Sequence, residues 1–178
     1  MSVVDYRPRI ANKGTYVSEF LTLNSSNEIN GDYSGGITEF SYTNVSSTQT
    51  LFVNNILIKV LDEGQFLLSD YGSLGAELTN GINIYYTTDS GATKNYIVGT
   101  TNNIKNNSDF FNYTNDIKLK NSNIGDSIIG VNFNFFKNYT AIKLTQNESI
   151  GIEVNDDFSN ITSQVSQITG YLYDNTEL

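Results

Sequence analysis

Nearly every residue able to do chemistry in this chain of 178 residues is a carboxylate or a hydroxyl. Histidine and cysteine are both absent. That removes thiolate and imidazole metal sites, disulfide frameworks, and the Cys or Ser/His systems that supply activated nucleophiles. Carboxylates remain, clustered at Asp62-Glu63, Asp70, Asp89, Asp116 and Asp156-Asp157. Gathered on the loops of a sandwich, such groups can bind calcium or form the carboxylate pair of a glycosidase. No spaced Asp-x-Asp-x-Asp loop occurs, so the simpler reading is turn residues and solvated loop charge. The expectation is no catalytic residue, no metal, no cofactor and no enzymatic activity.

Positive charge is scarce. Ten Lys and Arg stand against 19 Asp and Glu, a formal charge of −9, which makes nucleic acid a poor partner because no broad basic face can neutralise phosphates. Both arginines, Arg7 and Arg9, flank the only proline, Pro8, in the segment DYRPRIANKG. Residues 1–14 therefore read as an extended basic arm ahead of an acidic body formed by residues 15–178. Tyr6, Arg7, Pro8, Arg9 and Lys13 are the candidate contacts with an acidic neighbouring subunit, since Pro8 resists helix and Arg forks onto carboxylates. The competing reading is a frayed terminus with incidental charge. The N-terminus has no apolar h-region, and no segment approaches the roughly 18 apolar residues of a membrane span; a soluble chain without membrane contact is expected.

The aromatic set is 12 Tyr and 10 Phe without Trp. Exposed tyrosines could form a sugar platform, but most aromatics fall at alternating positions where filling a core is the simpler task. Asn occurs 25 times and tolerates the turn conformations that punctuate short strands. The Asn-x-Ser/Thr patterns at Asn24, Asn44, Asn106, Asn112, Asn138, Asn147 and Asn160 follow from that composition.

These residues must be positioned by strands, because apolar positions recur at period two and hardly anywhere at helical spacing. Alternation marks Tyr16 to Leu23, Phe40 with Tyr42, TLFVNNILIKVLDEG, INIYYTT, TKNYIV, GDSIIGVNFNFFK, SIGIEV and QVSQITGYLY. In the longest run Phe52, Ile56, Ile58 and Val60 are expected on one face, with Leu51, Val53, Leu57 and Leu61 on the other. Asp89-Ser90-Gly91 is expected to close a hairpin. NNSDFFNY is expected to form a short helical turn capped by Asn107 or Ser108. The predicted core is Phe52, Ile56, Ile58, Ile82, Ile84, Val131, Phe133, Ile152 and Val154. About eight or nine strands with one or two helical turns predict an all-β, two-sheet antiparallel sandwich of jelly-roll type.

Three stretches, FVNNILIKVLDEGQFLLSDYGSLGAELTNGINIYY, IKNNSDFFNYTNDIKL and IGIEVNDDFSNITSQVSQITGYLYD, together resemble small β-sandwich structural proteins of tailed bacteriophages. The marks are an apolar strand ending in Asp/Glu-Gly, a Leu-Thr-Asn-Gly-Ile strand opening, an Asn-Ser-Asp-Phe turn and an Asp-Asp-Phe turn. They run from about residue 40 to residue 174. The resemblance implies an auxiliary, or decoration, protein of the virion that is made in the bacterial cytoplasm and docks on the major capsid protein and neighbouring subunits, copies of itself included. A carbohydrate-binding or host-adhesion module and a neck or tail structural protein are the alternatives.

Overall fold

The computed structural model describes residues 4–5, 14–21, 29–30, 38–98, 103–122, 127–135, 140–158 and 161–178. Within them run twelve strands: β1 (Val4–Asp5), β2 (Thr15–Phe20), β3 (Ile29–Asn30), β4 (Thr38–Thr43), β5 (Gln49–Asp62), β6 (Ile82–Thr88), β7 (Thr93–Val98), β8 (Ile117–Lys120), β9 (Ser127–Asn134), β10 (Thr140–Leu144), β11 (Ser149–Val154) and β12 (Ser163–Asp174). All pairings are antiparallel. They form an eight-stranded sheet and a four-stranded sheet of order β4-β11-β6-β7, packed face to face as a β-sandwich.

The larger sheet is organised on a spine of its two longest strands, β5 and β12, paired from Gln49↔Asp174 to Leu61↔Ser163. The far side of β5 is shared, with β10 against Leu51 to Val53 and β9 against Asn55 to Asp62. The far side of β12 is likewise shared by β2 and β3. β8 adds to β9, and β1 to β10. The Val/Ile/Leu content of β5 suits a strand with neighbours on both edges and one face in the core; its other face is covered only in part, with Lys59 exposed and Leu57 and Leu61 half-buried.

One expectation about β5 is corrected by a bulge. Asn55 faces Thr169 and Val53 faces Gly170, so Asn54 is an extra residue with no opposite number. An inserted residue moves every side chain before it to the other face. Leu51 and Val53 therefore join Ile56, Ile58 and Val60 in the core between the sheets. Phe52 instead turns outwards and is buried edge-on against Tyr173, ring centroids 5.5 Å apart. The other eight predicted core residues all lie in the core cluster.

The core is completed by the inward faces of the smaller sheet, Phe40, Ile84, Ile150 and Ile152 among them, and by loop residues Phe66, Tyr71, Phe110 and Phe158. Tyr71 stacks on Phe158 with centroids 5.5 Å apart and donates its hydroxyl hydrogen to Gln164 Oε1. Each such apolar side chain contributes about 1.5–3 kcal/mol by leaving water.

The expected hairpin between β6 and β7 turns at Asp89-Ser90-Gly91, all three at positive φ. The helical turn is a 3-10 helix, Asn107–Asn112, but its cap is Asn106. Asn106 accepts from the Asp109 amide while the Asp109 carboxylate accepts from Asn106 N–H, a reciprocal capping box. Asn107 is instead buried, and its side-chain amide donates to the Leu67 carbonyl at 2.8 Å.

Candidate functional site

The outer face of the larger sheet carries the densest group of basic side chains among the described residues. Side chains opposed across an antiparallel ladder share a face. Lys59 on β5 opposes Gly130 on β9, and Gly130 opposes Lys118 on β8. Two lysines thus flank a glycine in one cross-strand row, their backbones about 10 Å apart. The next row is Leu61, Ile128 and Lys120. Gly130 supplies a floor, since a Cβ there would meet only the Lys118 carbonyl oxygen, at 3.9 Å. The result is a groove of about 430 Å³ lined by Leu57, Ile128, Asn55, Asn132 and one carboxylate, Asp116, as well as the three lysines. Asn132 Nδ2 donates to Asp116 Oδ2 at 2.9 Å and Asn55 donates to Asn132, so the polar end of the groove is internally satisfied. Lys59, Lys118 and Lys120 are exposed, and none of them makes an ion pair with another described residue.

Farther along this face the spine carries aromatics. Tyr16 opposes Tyr171, with ring centroids 5.7 Å apart, and Tyr16 is 59% exposed. Tyr173 is covered, and Gly14 packs flat on its ring where a Cβ could not fit.

The smaller sheet's outer face holds a charged trio that the sequence reading missed. Glu39 on β4 and Glu153 on β11 are directly opposed, and Lys94 on β7 reaches both carboxylates, with Nζ 2.6 Å from Glu153 Oε1. Lys94 also lies 4.2 Å from the centroid of the Tyr85 ring, a cation–π contact. Tyr85 in turn lies across Gly151, where a Cβ would meet its hydroxyl at 2.7 Å. Asn83 Nδ2 donates to Glu153 Oε2 at 3.0 Å and the Tyr96 hydroxyl to Oε1 at 3.3 Å. Burial alone would raise the Glu153 carboxyl, but bonds from Lys94 and Asn83 and the lysine charge hold it below the usual carboxylate range. Burial would lower Lys94, and its two carboxylate partners instead raise it. A lysine bridge that keeps Glu153 ionised suits pinning three strands together better than delivering a proton at neutral pH.

The loop carboxylates organise backbone. Asp156 accepts from the amides of Thr79, Asn80 and Gly81. Buried Asp62 accepts from Glu63 N–H and Ser73 N–H, and Asp89 from the Thr93 hydroxyl. Among the described residues no three acidic, His or Cys side chains gather as a metal site. Tyr6, Arg7, Pro8, Arg9 and Lys13 lie outside the described residues. The groove lysines were individually visible in the sequence, but their convergence needs the registers of two ladders. No family model, no curated protein and no solved structure matches this chain.

Proposed function

We propose that this chain is a structural component of a bacteriophage virion, an auxiliary protein that docks on the capsid lattice and on neighbouring subunits by surface complementarity and performs no chemistry. The order of strand and turn motifs over residues 40–174 supports the phage setting. The structural observation that carries the docking reading is the Lys59–Gly130–Lys118 row, unpaired charge around a partly apolar floor on a chain of net charge −9. Such a patch favours an acidic partner at one place on an otherwise anionic surface. A neck or tail position on the particle would use the same surface.

The test is to locate the protein in purified particles by cryo-microscopy. Regular copies on the capsid lattice are expected, and its absence from particles would overturn the reading. A second reading, a carbohydrate-binding or host-adhesion module, draws on the exposed Tyr16 beside Tyr171, since stacked sugar rings favour such faces. Reproducible binding on a glycan array, lost in Tyr16→Ala, would establish that reading.

A further inference from the structure

β8 is the edge of the larger sheet next to the basic groove, and its two faces differ in chemistry. The Asn132 amide donates to the Asp116 carbonyl at 2.9 Å. In an antiparallel ladder, hydrogen-bonded and non-hydrogen-bonded pairs alternate. Asp116, Lys118 and Lys120 therefore turn their backbone groups towards β9, and Ile117 and Leu119 turn theirs outwards. Among the described residues β8 pairs with no strand but β9. Side chains alternate too. Lys118 and Lys120 join Lys59 at the groove, while Leu119, 46% exposed, points to the other side. There it meets Leu67, Leu68 and Phe111, each more than half exposed, around a crevice of about 40 Å³. Large apolar side chains exposed as a contiguous group mark an interaction site more often than singly scattered ones do.

We propose that β8 receives an extended segment of a partner protein by strand addition, with acidic side chains on the lysine side alternating with apolar side chains on the Leu119 side. Backbone bonds to Ile117 and Leu119 would supply affinity, and the two faces would supply specificity. A second copy of β8 is a poorer occupant: antiparallel self-pairing centred on Leu119 sets Lys118 against Lys120, and a slip that brings Asp116 opposite Lys120 relieves that repulsion only in part. A densely anionic glycan or nucleic acid would meet the repulsion of the whole acidic body and gain nothing from the apolar side. The proposal rests on the docking reading above and names its partner.

The experiment titrates a capped peptide of alternating Glu and Val, about eight residues long to match a short strand, into the isotope-labelled full chain. Expected are shifts and slowed exchange centred on the Ile117 and Leu119 amides. The double variant Lys118→Glu with Lys120→Glu should weaken this peptide at least about tenfold and admit a Lys–Val peptide instead. Leu119→Pro removes an amide that faces away from β9, so the sheet should persist by circular dichroism while peptide binding is lost. Shifts elsewhere, equal binding of the Lys–Val peptide, or displacement by a sulfated glycan at equal charge concentration would overturn the proposal. Particles that carry the chain although the peptide ignores β8 would remove this proposal and leave the virion reading. Peptide binding by a protein absent from particles would do the reverse.

Discussion

Gly170 faces the backbone carbonyl of Phe52 so closely that any Cβ on it would collide with the oxygen. The contact adjoins the unpaired Asn54, where β5 carries one residue more than β12. The bulge on one strand thus depends on the missing side chain of the other. Gly170→Ala should cost about 1–3 kcal/mol, because backbone atoms must move to admit the methyl group. Gly130→Ala, whose Cβ would touch only the Lys118 carbonyl at 3.9 Å, should be neutral or mildly stabilising. Urea denaturation of both variants checks this, and equal losses would refute the bulge argument.

Deleting Asn54 tests the same device from the other strand. Without it, strict alternation would carry Phe52 into the core and Leu51 and Val53 out of it, a slip that reverses each side chain before the deletion. The deletion variant should melt well below the parent or fail to fold. An unchanged melting temperature would mean that β5 finds its faces by other contacts.

The Glu39–Lys94–Glu153 trio predicts a pH window. Glu153 sits below its ordinary value, so its contribution is complete above the unfolded value of 4.5 and fades as pH falls through the lower folded one. Lys94 is raised, so its contribution is complete below 10.5 and fades as pH rises through the higher folded value. Tyr85, pushed up to about 12 by burial first and the Glu39 charge next, adds a loss that begins as pH passes 10.0. Lys94→Met should lower stability near neutral pH by about 1 kcal/mol, modest because the pair is partly solvated. The deficit should shrink as pH falls below 4.5 through the lower folded value of Glu153, where the ion pair it reports is lost in the parent as well. A deficit independent of pH would separate the lysine from the carboxylates.

Asp156→Ala removes an acceptor from the amides of Thr79, Asn80 and Gly81. The loss should be about 1–3 kcal/mol, as for hydrogen bonds to a charged group. Hydrogen exchange should quicken at residues 79–81 while the β5 amides stay protected. Uniform acceleration across the sheet would instead mark a global effect.

Strand alternation made the sandwich legible because its cores are built from Ile152 and Val154, Val131 and Phe133, and Ile82 and Ile84 at period two. It failed at Asn54, since a bulge adds one residue without a sequence signal as strong as Gly or Pro. β8 went unread because four residues, Ile117–Lys120, are too short for periodicity to separate a strand from a loop. The charged trio was hidden for a different reason. Lys94 lies 55 residues from Glu39 and 59 from Glu153, and only strand order brings the three together. The reading of the acidic clusters as turn residues and solvated loop charge holds in part: Asp156 and Asp62 gather turn amides, but Asp62 and Asp70 are buried, and Asp70, Asp89 and Asp116 accept from side chains.

The spine joins distant parts of the chain, Gln49 on β5 bonding to Asp174 on β12 across 125 residues. During synthesis, the longest strand among the described residues, rich in Leu, Ile and Val, must therefore wait until most of the rest has been made before it can be covered. Closing so long a loop is slow, and TLFVNNILIKV meanwhile has the β-rich, proline-free character of segments that self-associate. Yield in a cell should thus depend less on the depth of the native minimum than on how long β5 stays bare. Chaperone capacity and expression temperature would then set how much of this chain reaches its folded form.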